Sequence, residues 1–92
     1  MTPISAEAVP RIAPKARLAW DEARGRHVLL YPEGLVALNA TGVEILKLCD
    51  GTQAFTGIVA TLRQRHDAAG IDRDVAAFLD GLAAKGLVIW GT

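Results

Sequence analysis

What this chain lacks narrows its chemistry first. In 92 residues it has one cysteine, Cys49, and two histidines, His27 and His66. A single thiol excludes an internal disulfide, and these three donors cannot close a four-ligand zinc site. Cys49 falls at an apolar helical position, which reads as a small buried hydrophobe and not as a reactive thiol. The one serine, Ser5, lies outside any nucleophile elbow. The glycines fall singly at turns and helix ends, never at the spacing of a phosphate cradle. Asp21 and Glu22 are adjacent carboxylates, but at the end of a strand they read as turn formers. The expectation is a non-enzymatic chain that needs no metal or cofactor.

Charge of one sign is missing too. Ten acidic residues balance ten basic ones, so no global field draws the chain to nucleic acid or to an anionic membrane. No apolar run approaches the roughly 20 residues of a membrane span. The opening MTPISAEAVPRIAPK has no basic region followed by an apolar one, so it does not read as a secretory signal. The expected compartment is the cytoplasm, away from membranes. Five aromatics stand against sixteen alanines in a chain that is 51% apolar. That composition favours small, close-packed elements and one domain with a modest core.

Three of the four prolines, Pro3, Pro10 and Pro14, fall in residues 1–15. Each removes a backbone donor and biases its predecessor toward extended geometry, so an arm is expected there and not an element. It is either a frayed end or an arm that packs on a neighbouring subunit through Val9, Ile12 and Ala13. Residues 16–92 then form a single domain. Ala16–Asp21 alternates as a first strand, with a turn at Glu22–Gly25. His27–Tyr31 is a second strand, Pro32-Glu33-Gly34 a tight turn, and Leu35–Asn39 a third strand. Three short strands with tight turns make an antiparallel meander.

Thr41-Gly42-Val43-Glu44 has capping-box spacing, with Thr41 as cap and Glu44 reaching back. Val43, Ile45, Leu46 and Cys49 continue that first helix to Gly51. Phe55, Ile58, Val59 and Leu62 form one stripe of a second helix, whose start is poorly marked: Thr52 and Thr56 are possible caps and Ala54 a weak one. After the loop His66–Gly70, Asp72 is the expected cap of a third helix, with Asp74 in its first turn. Val75, Phe78, Leu79 and Leu82 form its stripe, and Gly86 fits the position past its end. Leu87–Trp90 is a short apolar tail.

This order gives an α+β class: a three-stranded antiparallel meander followed by three helices, as in small winged-helix-like domains. Such a layout raises DNA binding, but the third helix offers Arg73 and Lys85 against Asp72, Asp74 and Asp80. Its other outward positions are largely Ala76, Ala77 and Ala84, which leaves little to hold phosphate or read bases. The expectation is no nucleic acid. An alanine-rich helix beside an unpaired strand makes instead a shallow groove that an extended peptide can join as an extra strand. The third strand, Leu-Val-Ala-Leu-Asn, carries no charge or proline to blunt its edge. The edge is either open to a guest or covered by the arm, the tail or another subunit.

Trp20-Asp21-Glu22, Leu38-Asn39-x-Thr41-Gly42, Leu48-Cys49-Asp50-Gly51 and Phe78-Leu79-x-x-Leu82, in this order and spacing, resemble the PqqD family. The similarity spans about Pro10 to Val88. It implies a peptide chaperone of pyrroloquinoline quinone biosynthesis, a recognition element for ribosomally made, modified peptides. Its partners would be the precursor peptide PqqA and the radical S-adenosylmethionine enzyme PqqE, which joins a glutamate to a tyrosine in that peptide. By position, the resemblance assigns Val36, Ala37, Leu38 and Asn39 to the strand wall of the peptide site. It assigns Val75, Phe78, Leu79 and Leu82 to the helix wall. The alternative is a structural or regulatory winged-helix-like module that self-associates through its sheet edge, as a homodimer built by the arm or by strand exchange.

Overall fold

The computed structural model describes residues 3–67 and 69–91. In chain order the elements are β1 (Arg11–Ile12), β2 (Arg17–Asp21), β3 (Arg26–Tyr31), β4 (Gly34–Ala37), α1 (Ala40–Leu48), α2 (Phe55–Arg65), α3 (Ile71–Ala84) and β5 (Val88–Ile89). β2, β3 and β4 form an antiparallel sheet in that order, and β1 pairs with β5 in a separate ribbon. Three antiparallel strands followed by three helices is the expected α+β, winged-helix-like arrangement.

Turn chemistry sets the first hairpin. Gly25 takes φ +63° and its N–H donates to the Asp21 carbonyl at 2.8 Å. The Asp21 carboxylate accepts from the Arg24 backbone N–H and, at 2.7 Å, from Arg24 Nη1. That side-chain bond holds the Asp21 carboxyl below its ordinary range. Register then places Leu18, Leu29 and Val36 opposite one another, hence on one face. This face meets the helices, and Leu29 is fully buried there.

The helical stripes supply the rest of the core. Ile45 and Leu46 of α1, Ile58 and Leu62 of α2, and Val75, Leu79 and Leu82 of α3 pack with Leu87 and Val88. Each such side chain contributes about 1.5–3 kcal/mol relative to exposure. α3 ends as its sequence foretells. Gly86 takes φ +72°, its N–H bonds the Ala83 carbonyl, and the Leu87 N–H bonds the Leu82 carbonyl. Leu87 is thereby folded back and fully buried.

The starts of α1 and α3 differ from expectation, and that of α2 falls to the weakest of its three candidates. At α1 the cap is Asn39, not Thr41: its side chain accepts the Gly42 N–H at 2.8 Å. The helix therefore begins one residue before Thr41, and Glu44 has no cap to reach back to. At α3, Gly70 precedes the helix with φ +75°, and Asp72 lies inside the first turn with Asp74. Burial of Ile71 at the head of the stripe draws the helix forward. At α2, Thr52 turns to the Asp50 carboxylate with both its N–H and its hydroxyl, and Thr56 lies within the helix. Ala54 holds the cap position without a side-chain bond.

The missing cap comes from the N-terminal arm. The Phe55 N–H donates to the Ala8 carbonyl at 2.7 Å and the Thr56 N–H to the Ala6 carbonyl at 3.2 Å. Ile4, Ala8, Pro10 and Ala13 are buried, and the Ile4 N–H donates to Asp80 Oδ1 on α3. Arg11–Ile12 pairs with the tail, whose Val88–Ile89 is β5. From Pro3 onward the arm is thus held on its own chain through Ile4, Ala8, Pro10 and Ala13, while Val9 is exposed. Met1 and Thr2 of the expected arm, and Ala68 of the expected loop, lie outside the described residues.

Candidate functional site

β4 pairs with β3 on one side only. In an antiparallel ladder, residues alternate between turning both backbone groups to the partner and turning both away. The Leu38 N–H donates to the His27 carbonyl at 3.1 Å, which sets the parity. Val36, opposite Leu29, faces β3, whereas Leu35 and Ala37 turn their N–H and C=O outward. Among the described residues no hydrogen bond uses this outward row. Beyond it, the Leu38 carbonyl accepts from Arg26 Nη2 at 2.8 Å and Nε at 3.3 Å. The open edge is therefore two residues long.

This corrects the expected strand wall of Val36–Asn39. Ala37 offers its backbone, but Val36 turns its own to β3. Leu38 lies past the strand, buried and bonded at both backbone groups, and Asn39 caps α1. Leu35, outside the expected wall, also turns its backbone outward. Alternation along the chain was legible, but which parity faces outward needed one hydrogen bond to decide.

Two residues past Ala37, a groove of about 360 Å³ opens between the start of α1, His66 and α3. Ile45, Ile71, Val75 and Phe78 give it an apolar lining, and Asn39, Thr41, His66 and Asp74 add polar groups. Gly42 is what lets the two helices meet. A Cβ there would stand 3.2 Å from Phe78 Cε1 and Cζ and 3.2 Å from Asn39 Oδ1. Glu44 ties α1 to the end of α2, with Oε1 3.0 Å from His66 Nε2 and Oε2 3.4 Å from Arg65 Nη1.

Of the expected helix wall, Val75 and Phe78 line the groove. Leu79 and Leu82 do not line it and belong to the core, as Val75, 1% exposed, also does. They occupy the centre of the apolar stripe, while Ile71, Asp74 and Phe78 recur at i, i+3 and i+7 along its flank. That spacing could have pointed to Ile71 and Asp74; nothing local pointed to Gly42, Ile45 or His66. Cys49 takes no part: it is buried, and burial, then the neighbouring Asp50 charge, push its thiol up to about 12. Among the described residues no cluster of His, Cys, Asp and Glu is placed to hold a metal ion.

A short free edge, with a lined groove opening two residues further along the chain, suits an extended peptide. Two open residues offer four main-chain bonds, each worth about 0.5–1.5 kcal/mol net. Backbone pairing alone would bind weakly, so side chains entering the groove must add affinity.

Comparison with known proteins agrees with this arrangement. Residues 26–88 match the family described as coenzyme PQQ synthesis protein D (PqqD). The chain is 43% identical over 77 residues to a protein of Methylococcus capsulatus named PqqA binding protein, covering 84% of this chain and 83% of that one. It is 47% identical over 77 residues to the protein of that name from Pseudomonas aeruginosa, covering 83% and 84%. A solution structure of the PqqD truncation of Methylobacterium extorquens PqqCD matches with a TM-score of 0.78 and 40% identity over 94% of each chain. That protein is described as a functional, stand-alone recognition element for ribosomally synthesized and post-translationally modified peptides. On sequence and fold together, this chain belongs to the PqqD family.

Proposed function

We propose that this chain binds the leader of the precursor peptide PqqA as an added strand on β4 and presents the peptide to the radical S-adenosylmethionine enzyme PqqE. The outward row of Leu35 and Ala37 carries this reading, since it is a sheet edge left unpaired two residues before Asn39, the first residue to line the groove. The names of the relatives and the description of the matched solution structure support it. The chain itself catalyses nothing. It orders a leader that is disordered alone and leaves the reactive segment free, raising the local concentration of substrate at the modifying enzyme. Leu35 and Ala37 pair with the guest backbone, and Val75 and Phe78 meet its side chains. Asn39 and Leu38 anchor the end of the wall, and Leu79 and Leu82 fix α3 from behind. The work is assigned to the cytoplasm, where the precursor is made.

Calorimetric titration with synthetic PqqA leader tests this. Ala37→Pro deletes one outward N–H and spares the ladder to β3. With circular dichroism unchanged, affinity is expected to fall roughly tenfold, the worth of one hydrogen bond. A folded Ala37→Pro variant that binds the leader as tightly as the native chain would defeat strand addition.

The same edge supports a second reading, pairing with another copy, because β4 carries no charge or proline. The homodimer would meet at β4, with the exposed Val9 of the arm as the other contact available. Sedimentation with and without leader separates the readings: a stable dimer indifferent to the leader favours self-association.

A further inference from the structure

The short open edge shifts discrimination onto the groove, and the lining of the groove is specific about charge. Its floor is apolar, formed by Ile45, Ile71, Val75 and Phe78, and its one carboxylate is Asp74. Most of the nearby ionic groups are already engaged. Asp72 lies 3.6 Å from Arg63, and Glu44 holds both Arg65 and His66. The Arg73 guanidinium lies beside Gly70. Among the described residues Asp74 has no ion-pair partner. Of the groove's neutral side-chain oxygens, Asn39 Oδ1 already accepts the Gly42 N–H and the other is the Thr41 hydroxyl. An acidic guest side chain would meet the Asp74 carboxylate, whereas a basic one would find an unpaired carboxylate beside an apolar seat for its stem.

We infer that the groove selects leaders in which a basic side chain neighbours an apolar one, and that Asp74 is the specificity-determining residue that reads the charge. This rests on the peptide-binding reading above and adds to it the chemistry of the segment bound. The apolar side chain fills the space beside Phe78, and the lysine or arginine reaches the mouth at Asp74. The pair is partly exposed, so it decides between peptides more than it adds affinity.

Calorimetry at low ionic strength tests the inference with the full chain, synthetic PqqA leader and the same leader with every lysine and arginine replaced by glutamine. Asp74→Asn is expected to weaken the natural leader roughly threefold and Asp74→Lys roughly tenfold. Neither should weaken the glutamine leader. Asp72→Asn, outside the groove, is expected to change nothing. The peptide arm leaves the protein intact, so misfolding of a variant cannot imitate the result. If the glutamine leader binds native protein as well as the natural one, or if Asp72→Asn matches Asp74→Asn, the charge-reading role is overturned while leader binding stands. If native protein binds neither leader, the functional reading falls, and this inference with it.

Discussion

Asn39 sits where the sheet edge becomes a helix, and one amide oxygen holds that junction. Its bond to the Gly42 N–H satisfies a helix-end donor that no other side chain serves. Asn39→Ala is expected to cost about 1 kcal/mol, a fall in Tm of roughly 4–8 °C for a domain this small. Thermal melts check this. Gly42 is the complementary case. In a free helix, alanine would be favoured there by about 1 kcal/mol, but its Cβ would press the Phe78 ring and the Asn39 cap. Gly42→Ala should therefore give no gain in Tm while shifting the Phe78 ring resonances and weakening leader binding. Cys49 adds a pH dependence on the alkaline side. Its thiol is raised from 9.0 to about 12, so the folded state holds the proton more tightly than the unfolded chain. The contribution is fully present below pH 9 and is lost as pH rises toward 12, at up to about 1.4 kcal/mol per unit. Urea midpoints across that window should fall more steeply for the native chain than for Cys49→Ala. The thiol should resist alkylation until the chain unfolds.

At the scale of the element, β4 and α2 both depend on what lies opposite them. Proline scanning along β4 should read out the alternation directly. Leu38→Pro removes the donor to His27 and a side chain that is 4% exposed, so it is expected to destabilise by about 3 kcal/mol or more. The neighbouring Ala37→Pro should fold and lose only peptide affinity. Equal denaturation midpoints for the two variants would contradict the register. Helix α2 shows the same dependence at its start. Its sequence has no capping side chain, and the carbonyls of Ala6 and Ala8 do that work from about 50 residues away.

For the whole molecule, the arm is the strap that joins the parts. It touches α3 at Asp80, the head of α2 and the tail strand β5. Deleting residues 1–9 removes the burial of Ile4 and Ala8 and uncaps α2. The expected loss is about 3 kcal/mol, measured as a lower urea midpoint, with leader affinity falling as α3 loosens. An unchanged midpoint would mean that the arm only rests on the surface. Taken by itself, the sequence determined the three-stranded meander and the three helices in their order, the hairpin turns, the glycine stop of α3 and the burial of Cys49, but not the ribbon of β1 and β5. Those features are written in spacing between near neighbours, where side-chain period and backbone preference act within a turn or a pleat. The tertiary structure alone decided that Leu35 and Ala37 face outward, that the arm caps α2, that Gly42 admits Phe78, and that Asp74 borders a groove while Leu79 and Leu82 do not. Each of these depends on which hydrogen bond or contact forms between residues far apart in the chain, and no local period encodes that choice.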